Sequence, residues 1–141
     1  RLPPLSKFFP YTSLFRSQLL QQLQANDIAA AVVTNAPPEN ASFMLKELRL
    51  SDRFSPVIIG DTLPRGKPDP LPYQTALDQL GLTAKEAIAF EDSRAGIRSA
   101  VGAGIKTIGM TTTHTAEELL EVGVVKAIAD FTDPYIQTLL R

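Results

Sequence analysis

The stretch Ala87–Gly109, AIAFEDSRAGIRSAVGAGIKTIG, opens with a short apolar strand, Ala87–Phe90, that ends in two adjacent acids, Glu91 and Asp92. A polar turn containing Gly96 leads into a helix whose Ile97, Ala100, Val101 and Gly104 fall at i, i+3, i+4 and i+7. A second apolar strand, Ile105–Ile108, follows. In open α/β sheets ligands bind beyond the carboxyl ends of strands. Two acids placed there, just ahead of a helix N-terminus with its positive dipole, predict a hard-cation site. Taken alone, Asp92 or Ser93 reads as a helix cap, so the rest of the chain has to decide.

Working outward, strand and helix alternate. A helix is expected from Ser13, with Phe15, Leu19 and Leu23 on one face, ending near Asn26-Asp27. The continuous apolar run Ile28–Val33 predicts a strand buried on both faces, closing on Thr34-Asn35-Ala36. Ala41, Met44, Leu45 and Leu48 mark a helix from Glu39 to Arg49, and Val57–Ile59 a short strand. The longest polar loop, Gly60–Pro70, carries Lys67. A helix from about Pro70, capped by Asp69 and stopped by Gly81, buries Tyr73, Ala76, Leu77 and Leu80. Thr83-Ala84-Lys85-Glu86 and Thr115-Ala116-Glu117-Glu118 have the capping-box form. Beyond the Thr111–Thr113 loop come a helix around Glu117–Glu121, a brief strand at Ala127–Ile128, and a last helix with Ile136, Leu139 and Leu140. This alternation predicts an α/β fold, a parallel sheet with helices on both faces.

Three polar clusters then stand at strand ends. Thr34-Asn35 offers a hydroxyl, an amide and backbone N–H groups; Lys67 offers a cation; Glu91-Asp92 offers carboxylates. Together they supply what a phosphoryl group needs: neutral donors, a positive charge, and acids to seat Mg²⁺ against phosphate oxygens. Pro68 predicts an extended Lys67 with its side chain aimed out of the loop. Alone, Thr34-Asn35 would be a turn and Lys67 a solvated lysine; their joint occurrence reverses both readings.

The segments AVVTNA, GKPDP and FEDSRAGIRSAVGAG resemble the second, third and fourth motifs of the haloacid dehalogenase superfamily, in its branch of small phosphatases and β-phosphoglucomutase-like enzymes. The resemblance runs from about Gln18 to about Asp133. It implies a Rossmann-like core and a Mg²⁺-dependent phosphatase acting on a small phosphomonoester through an aspartyl-phosphate, or a phosphosugar mutase. It further implies that Thr34, Asn35 and Ala36 hold phosphoryl oxygens, that Lys67 neutralises phosphate and nucleophile, and that Glu91 and Asp92 bind Mg²⁺. Catalytic roles would fall on Thr34 and Lys67, and Gly96 would allow close approach of its helix.

The family's first motif, Asp-x-Asp, occurs nowhere in these residues. Asp130 and Asp133 stand three apart, late in the chain, and read as loop and cap residues. Without the first-motif strand, two central edges are expected to be open, a known route to association. The chain is therefore expected to be a fragment of a longer enzyme, lacking the N-terminal central strand and the cap domain. Residues 1–12, proline-punctuated, form an irregular arm or the remnant of a cap-to-core connection, and residues 13–141 a partial core. The open edges would pair with the missing segment, with each other or with another chain; the alternative function is a non-catalytic phosphate-binding or protein-interaction module.

A bacterial receiver domain uses similar parts, but its acid pair comes first in the chain rather than last. A dinucleotide fold is disfavoured, because Gly102 and Gly104 close a helix instead of opening one. The net charge of −1 and the absence of any basic run argue against nucleic acid and membrane surfaces. No cysteine is present, which excludes disulfides and thiolate metal sites and fits a reducing, cytosolic compartment. His114, the sole histidine, reads as a surface-loop residue or a substrate contact.

Overall fold

The computed structural model describes residues 18–47 and 54–140. A helix over 18–25 (α1) is followed by β1 (Val32–Thr34), α2 (Pro38–Glu47), β2 (Val57–Ile59) and a 3₁₀ turn at Gly60–Thr62. Then come α3 (Leu71–Leu80), a 3₁₀ turn at Ala84–Glu86, β3 (Ile88–Glu91), α4 (Arg94–Gly102) and β4 (Lys106–Met110). The chain closes with α5 (Ala116–Val122), β5 (Lys126–Ile128) and α6 (Tyr135–Leu139). The expected arm over residues 1–12, along with Phe15, Leu48 and Arg49, lies outside the described residues.

All strand pairings are parallel, as the alternation requires, but they form two sheets: β1–β2 and β3–β4–β5. Among the described residues β1 and β3 do not pair with each other, so each has an edge facing the division between the sheets. This limits β1. The expected strand Ile28–Val33 shrinks to Val32–Thr34, opposite Val57–Ile59, and Ile28 is 44% exposed rather than buried on both faces. Only β2 templates its ladder. Ahead of it the pairing continues irregularly, through Val32 N–H to Pro56 O at 3.1 Å and Ser55 N–H to Ala30 O at 2.9 Å.

Strand β3 also shifts by one residue from expectation, so that Glu91 is its last member. Side chains alternate across a strand, and Ala89 and Glu91 are the buried pair while Ile88 is exposed. Ala89 packs with Tyr73, Leu77, Ala100 and Ile105 in the core between α3, α4 and this strand. Glu91 therefore points into the same layer. Helix α4 presents Gly96, Ile97, Ser99 and Ala100 to the interior; Val101, expected there, is exposed, and Gly104 lies beyond the helix with φ of 83°. The buried stripe is turned toward α3, where Ser99 Oγ donates to Asp69 O at 2.6 Å.

Local signals are mostly realised. Ser93 is the α4 cap, its Oγ accepting from Gly96 N–H at 3.0 Å. Asp69 Oδ1 accepts from Leu71 N–H at 2.9 Å, so it caps α3 one residue further out than expected, with Pro70 between. Gly81 ends that helix in the left-handed region, φ 68°, a conformation that favours glycine. Thr83–Glu86 forms its reciprocal capping box. Asp130 and Asp133 accept from Thr132 N–H and Tyr135 N–H at 2.8 and 2.9 Å, as loop and cap residues do. Among the described residues no helix is long and apolar enough to cross a membrane.

Candidate active site

The site lies where the carboxyl ends of β1 and β3 face each other. Lys67 spans the division: its Nζ donates to Val33 O on β1 at 2.7 Å and to Glu91 Oε1 at the end of β3. Its side chain is 10% exposed and that of Glu91 7%. Lys67 thus reaches out of its loop to two strand ends, and the Lys67–Pro68 peptide bond is cis. An ammonium carries three N–H donors. Two are spent here, and the third has no partner among the described residues.

Asn35 fixes the Lys67 backbone from the other side. Its Nδ2 donates to Lys67 O at 3.2 Å and its Oδ1 accepts from Lys67 N–H at 3.1 Å. The amide fits because two glycines make room: a Cβ at Gly60 would stand 2.4 Å from Asn35 Oδ1, and one at Gly66 2.9 Å. The Asn35 side chain is therefore a staple between loops, with one of its two Nδ2 hydrogens engaged. Asn35→Ala removes both bonds and is expected to cost about 1–3 kcal/mol. A lowered urea midpoint with unchanged slope would register it. Thr34 Oγ1 accepts from Ala36 N–H at 3.0 Å, which occupies that N–H and leaves the Thr34 hydroxyl proton to donate.

Glu91 is held on every side. Oε1 also accepts from the Tyr73 hydroxyl at 2.9 Å, and Oε2 lies against Gly96, where a Cβ would stand 1.9 Å away. Burial pushes the Glu91 carboxyl above its ordinary value, while Lys67 and Tyr73 pull it back without cancelling the effect. Burial, with the adjoining Glu91 charge, also raises the Tyr73 phenol, so it remains a protonated donor. Tyr73 is the functional residue that sequence reasoning placed only in the core. Its helical spacing marked burial and nothing marked its hydroxyl.

Asp92, next in the chain, is exposed at the rim. The loop after β4 wraps it: Thr112 Oγ1 donates to Asp92 Oδ2 at 3.3 Å, and Thr113 Oγ1 donates to Asp92 O at 3.5 Å. His114 Nδ1 lies 3.3 Å from the same carbonyl oxygen. The structure therefore brings Thr34, Asn35, Lys67 and Glu91 together and sets Asp92 beside them with the Thr111–Thr113 loop. Among the described residues no group of three or more His, Asp or Glu side chains converges as a metal cage would. The donor set fits Mg²⁺ in the mode that cation favours, one carboxylate with water and phosphate oxygens. Asp92 is the open carboxylate; Glu91 is engaged by Lys67 and Tyr73.

A model of the haloacid dehalogenase-like hydrolases matches residues 13–110. The validoxylamine A 7'-phosphate phosphatase of Streptomyces hygroscopicus subsp. limoneus is 41% identical over 120 residues, 84% of this chain and 56% of that protein. The phosphoglycolate phosphatase of Rhodospirillum rubrum is 35% identical over 113 residues, 80% of this chain and 47% of that protein. Among solved structures, a Thermotoga maritima protein described as a β-phosphoglucomutase superposes with a TM-score of 0.81 at 28% identity, covering 89% of this chain and 59% of that one. The chain thus spans about half the length of the curated relatives it matches.

Proposed function

From the premise that the chain belongs to the haloacid dehalogenase-like hydrolases, we propose that it forms the phosphate-binding half of a Mg²⁺-dependent phosphatase acting on a small phosphomonoester. One observation carries this: the Lys67 ammonium is held between Val33 O and Glu91 at facing strand ends, with a donor to spare. A cation fixed in a partly buried site stabilises phosphoryl charge far better than one in water. Thr34 supplies a neutral donor from its hydroxyl. Asp92 holds Mg²⁺, which when bound contributes Lewis-acid neutralisation of the phosphate oxygens. Glu91 acts through Lys67, holding the amine in place. No Asp-x-Asp stands among these residues to supply an aspartyl nucleophile.

Phosphate release from a panel of small phosphomonoesters, measured on the full-length product with Mg²⁺, tests the proposal. Asp92→Asn is expected to slow release on the order of 10²-fold. Release that survives this substitution undiminished would overturn the metal assignment. The likeness to the β-phosphoglucomutase-like fold favours a phosphosugar mutase as the second reading. In that case the assay shows little free phosphate, while a sugar monophosphate is converted to its positional isomer. Phosphate binding with neither release nor transfer would identify a non-catalytic phosphate-binding module.

A further inference from the structure

Tyr73 is the side chain in contact with both members of the buried ion pair. Its hydroxyl donates to Glu91 Oε1 at 2.9 Å, and the Lys67 Nζ stands 5.4 Å from its ring centroid. The first contact fixes the carboxylate; the second is a cation–π approach. Tyr73 is itself 8% exposed on α3 and packed with Leu77, Ala89, Ala100 and Ile105. Helix α3 is tied in turn to α4 through Ser99 Oγ and Asp69 O. A buried part of the core therefore reaches the site through one phenol.

We infer that Tyr73 is a positioning residue: its hydroxyl and ring set the direction in which the Glu91-bound Lys67 ammonium meets a phosphoryl group. The carboxylate is held at Oε1 by two donors, with Oε2 against Gly96. When the phenol oxygen is removed, Glu91 keeps Lys67 but loses its anchor to α3. The amine then moves with an unrestrained carboxylate, and its spare N–H no longer has one direction. Such a loss weakens binding of the phosphoryl oxygens while leaving the charge of the site intact. The role rests on the assignment of Lys67 to phosphate made above.

The test uses inorganic phosphate as the probe, titrated calorimetrically against the full-length product with Mg²⁺ present. Tyr73→Phe keeps the ring and its packing, and is expected to weaken phosphate binding about 5- to 10-fold, the range of a lost hydrogen bond. Ile136→Val, a buried change in the separate cluster around β4, β5 and α6, reports what a modest stability loss alone does. It is expected to lower the melting temperature and leave phosphate affinity unchanged. Lys67→Met combined with Glu91→Gln removes the cation without leaving a buried charge, and is expected to abolish binding. If the double variant binds phosphate normally, the assignment of Lys67 fails. If the double variant loses binding and Tyr73→Phe matches the parent, that assignment stands and the positioning role of Tyr73 is overturned. An affinity loss in Ile136→Val equal to that in Tyr73→Phe would also overturn it.

Discussion

Lys67→Met is expected to destabilise the fold by about 3–5 kcal/mol, because it leaves the Glu91 carboxylate buried without its counter-charge. The two side chains are 10% and 7% exposed, so solvent offers little compensation. Adding Glu91→Gln should return most of that stability. The amide carries no charge, and its oxygen still accepts from the Tyr73 hydroxyl, which now donates to Glu91 Oε1. Phosphate binding should not return with it. Urea denaturation of the parent, both single variants and the double variant forms a thermodynamic cycle whose coupling energy isolates the pair. A double variant no more stable than Lys67→Met would mean that an orphaned charge is not the cause. The stability and the proposed phosphate binding of this pair are thus expected to separate, since stability needs only charge balance whereas binding of an anion would need the cation itself.

The second large effect falls on a glycine. Inside a helix, replacing glycine by alanine normally stabilises by about 1 kcal/mol. At Gly96 the sign should reverse. A Cβ there would stand 1.9 Å from Glu91 Oε2 and 2.4 Å from its Cδ. The carboxylate cannot retreat without dragging Lys67 and Tyr73, so overpacking should cost about 1–3 kcal/mol and weaken phosphate binding as well. Gly102, at the other end of α4, is the internal comparison. Its added Cβ would meet Pro70 at 3.4 Å, an ordinary contact. Gly102→Ala is therefore expected to be neutral or to stabilise, while Gly96→Ala destabilises. Thermal melts of the two variants check this, and equal shifts of the same sign would show that Glu91 has room the geometry does not give it.

Several features were legible before any coordinates because they depend on neighbours close in sequence. Ser93 three residues before Gly96, Asp69 two before Leu71, Thr83 three before Glu86 and Gly81 after Leu80 each satisfy a helix end within one turn of chain. The polar clusters at strand ends were legible for a related reason. An apolar run that closes on a hydroxyl, an amide or a carboxylate announces both the strand and what it presents. Where the reading slipped, a distant partner decided. The run Ile28–Val33 has the composition of a fully buried strand, yet a ladder extends only as far as its neighbour does, and β2 pairs with three residues. Val101 fits the periodicity of α4 but faces outward, because the stripe is set by where Glu91, Asp69 and the strands lie.

The residue order by itself determined the parallel α/β class, the helix caps, and the inventory of polar groups near strand ends: a threonine, a lysine and two acids. Only the tertiary structure decided how those groups divide their work. Contacts across 32 residues made Asn35 a staple for Lys67, and contacts across 24 and 18 residues made Glu91 the shared partner of Lys67 and Tyr73. Asp92, adjacent to Glu91, was left exposed under the Thr111–Thr113 loop. The physical reason is that caps and periodicity are satisfied within a turn or two of chain, whereas a buried charge needs a partner wherever the fold brings one.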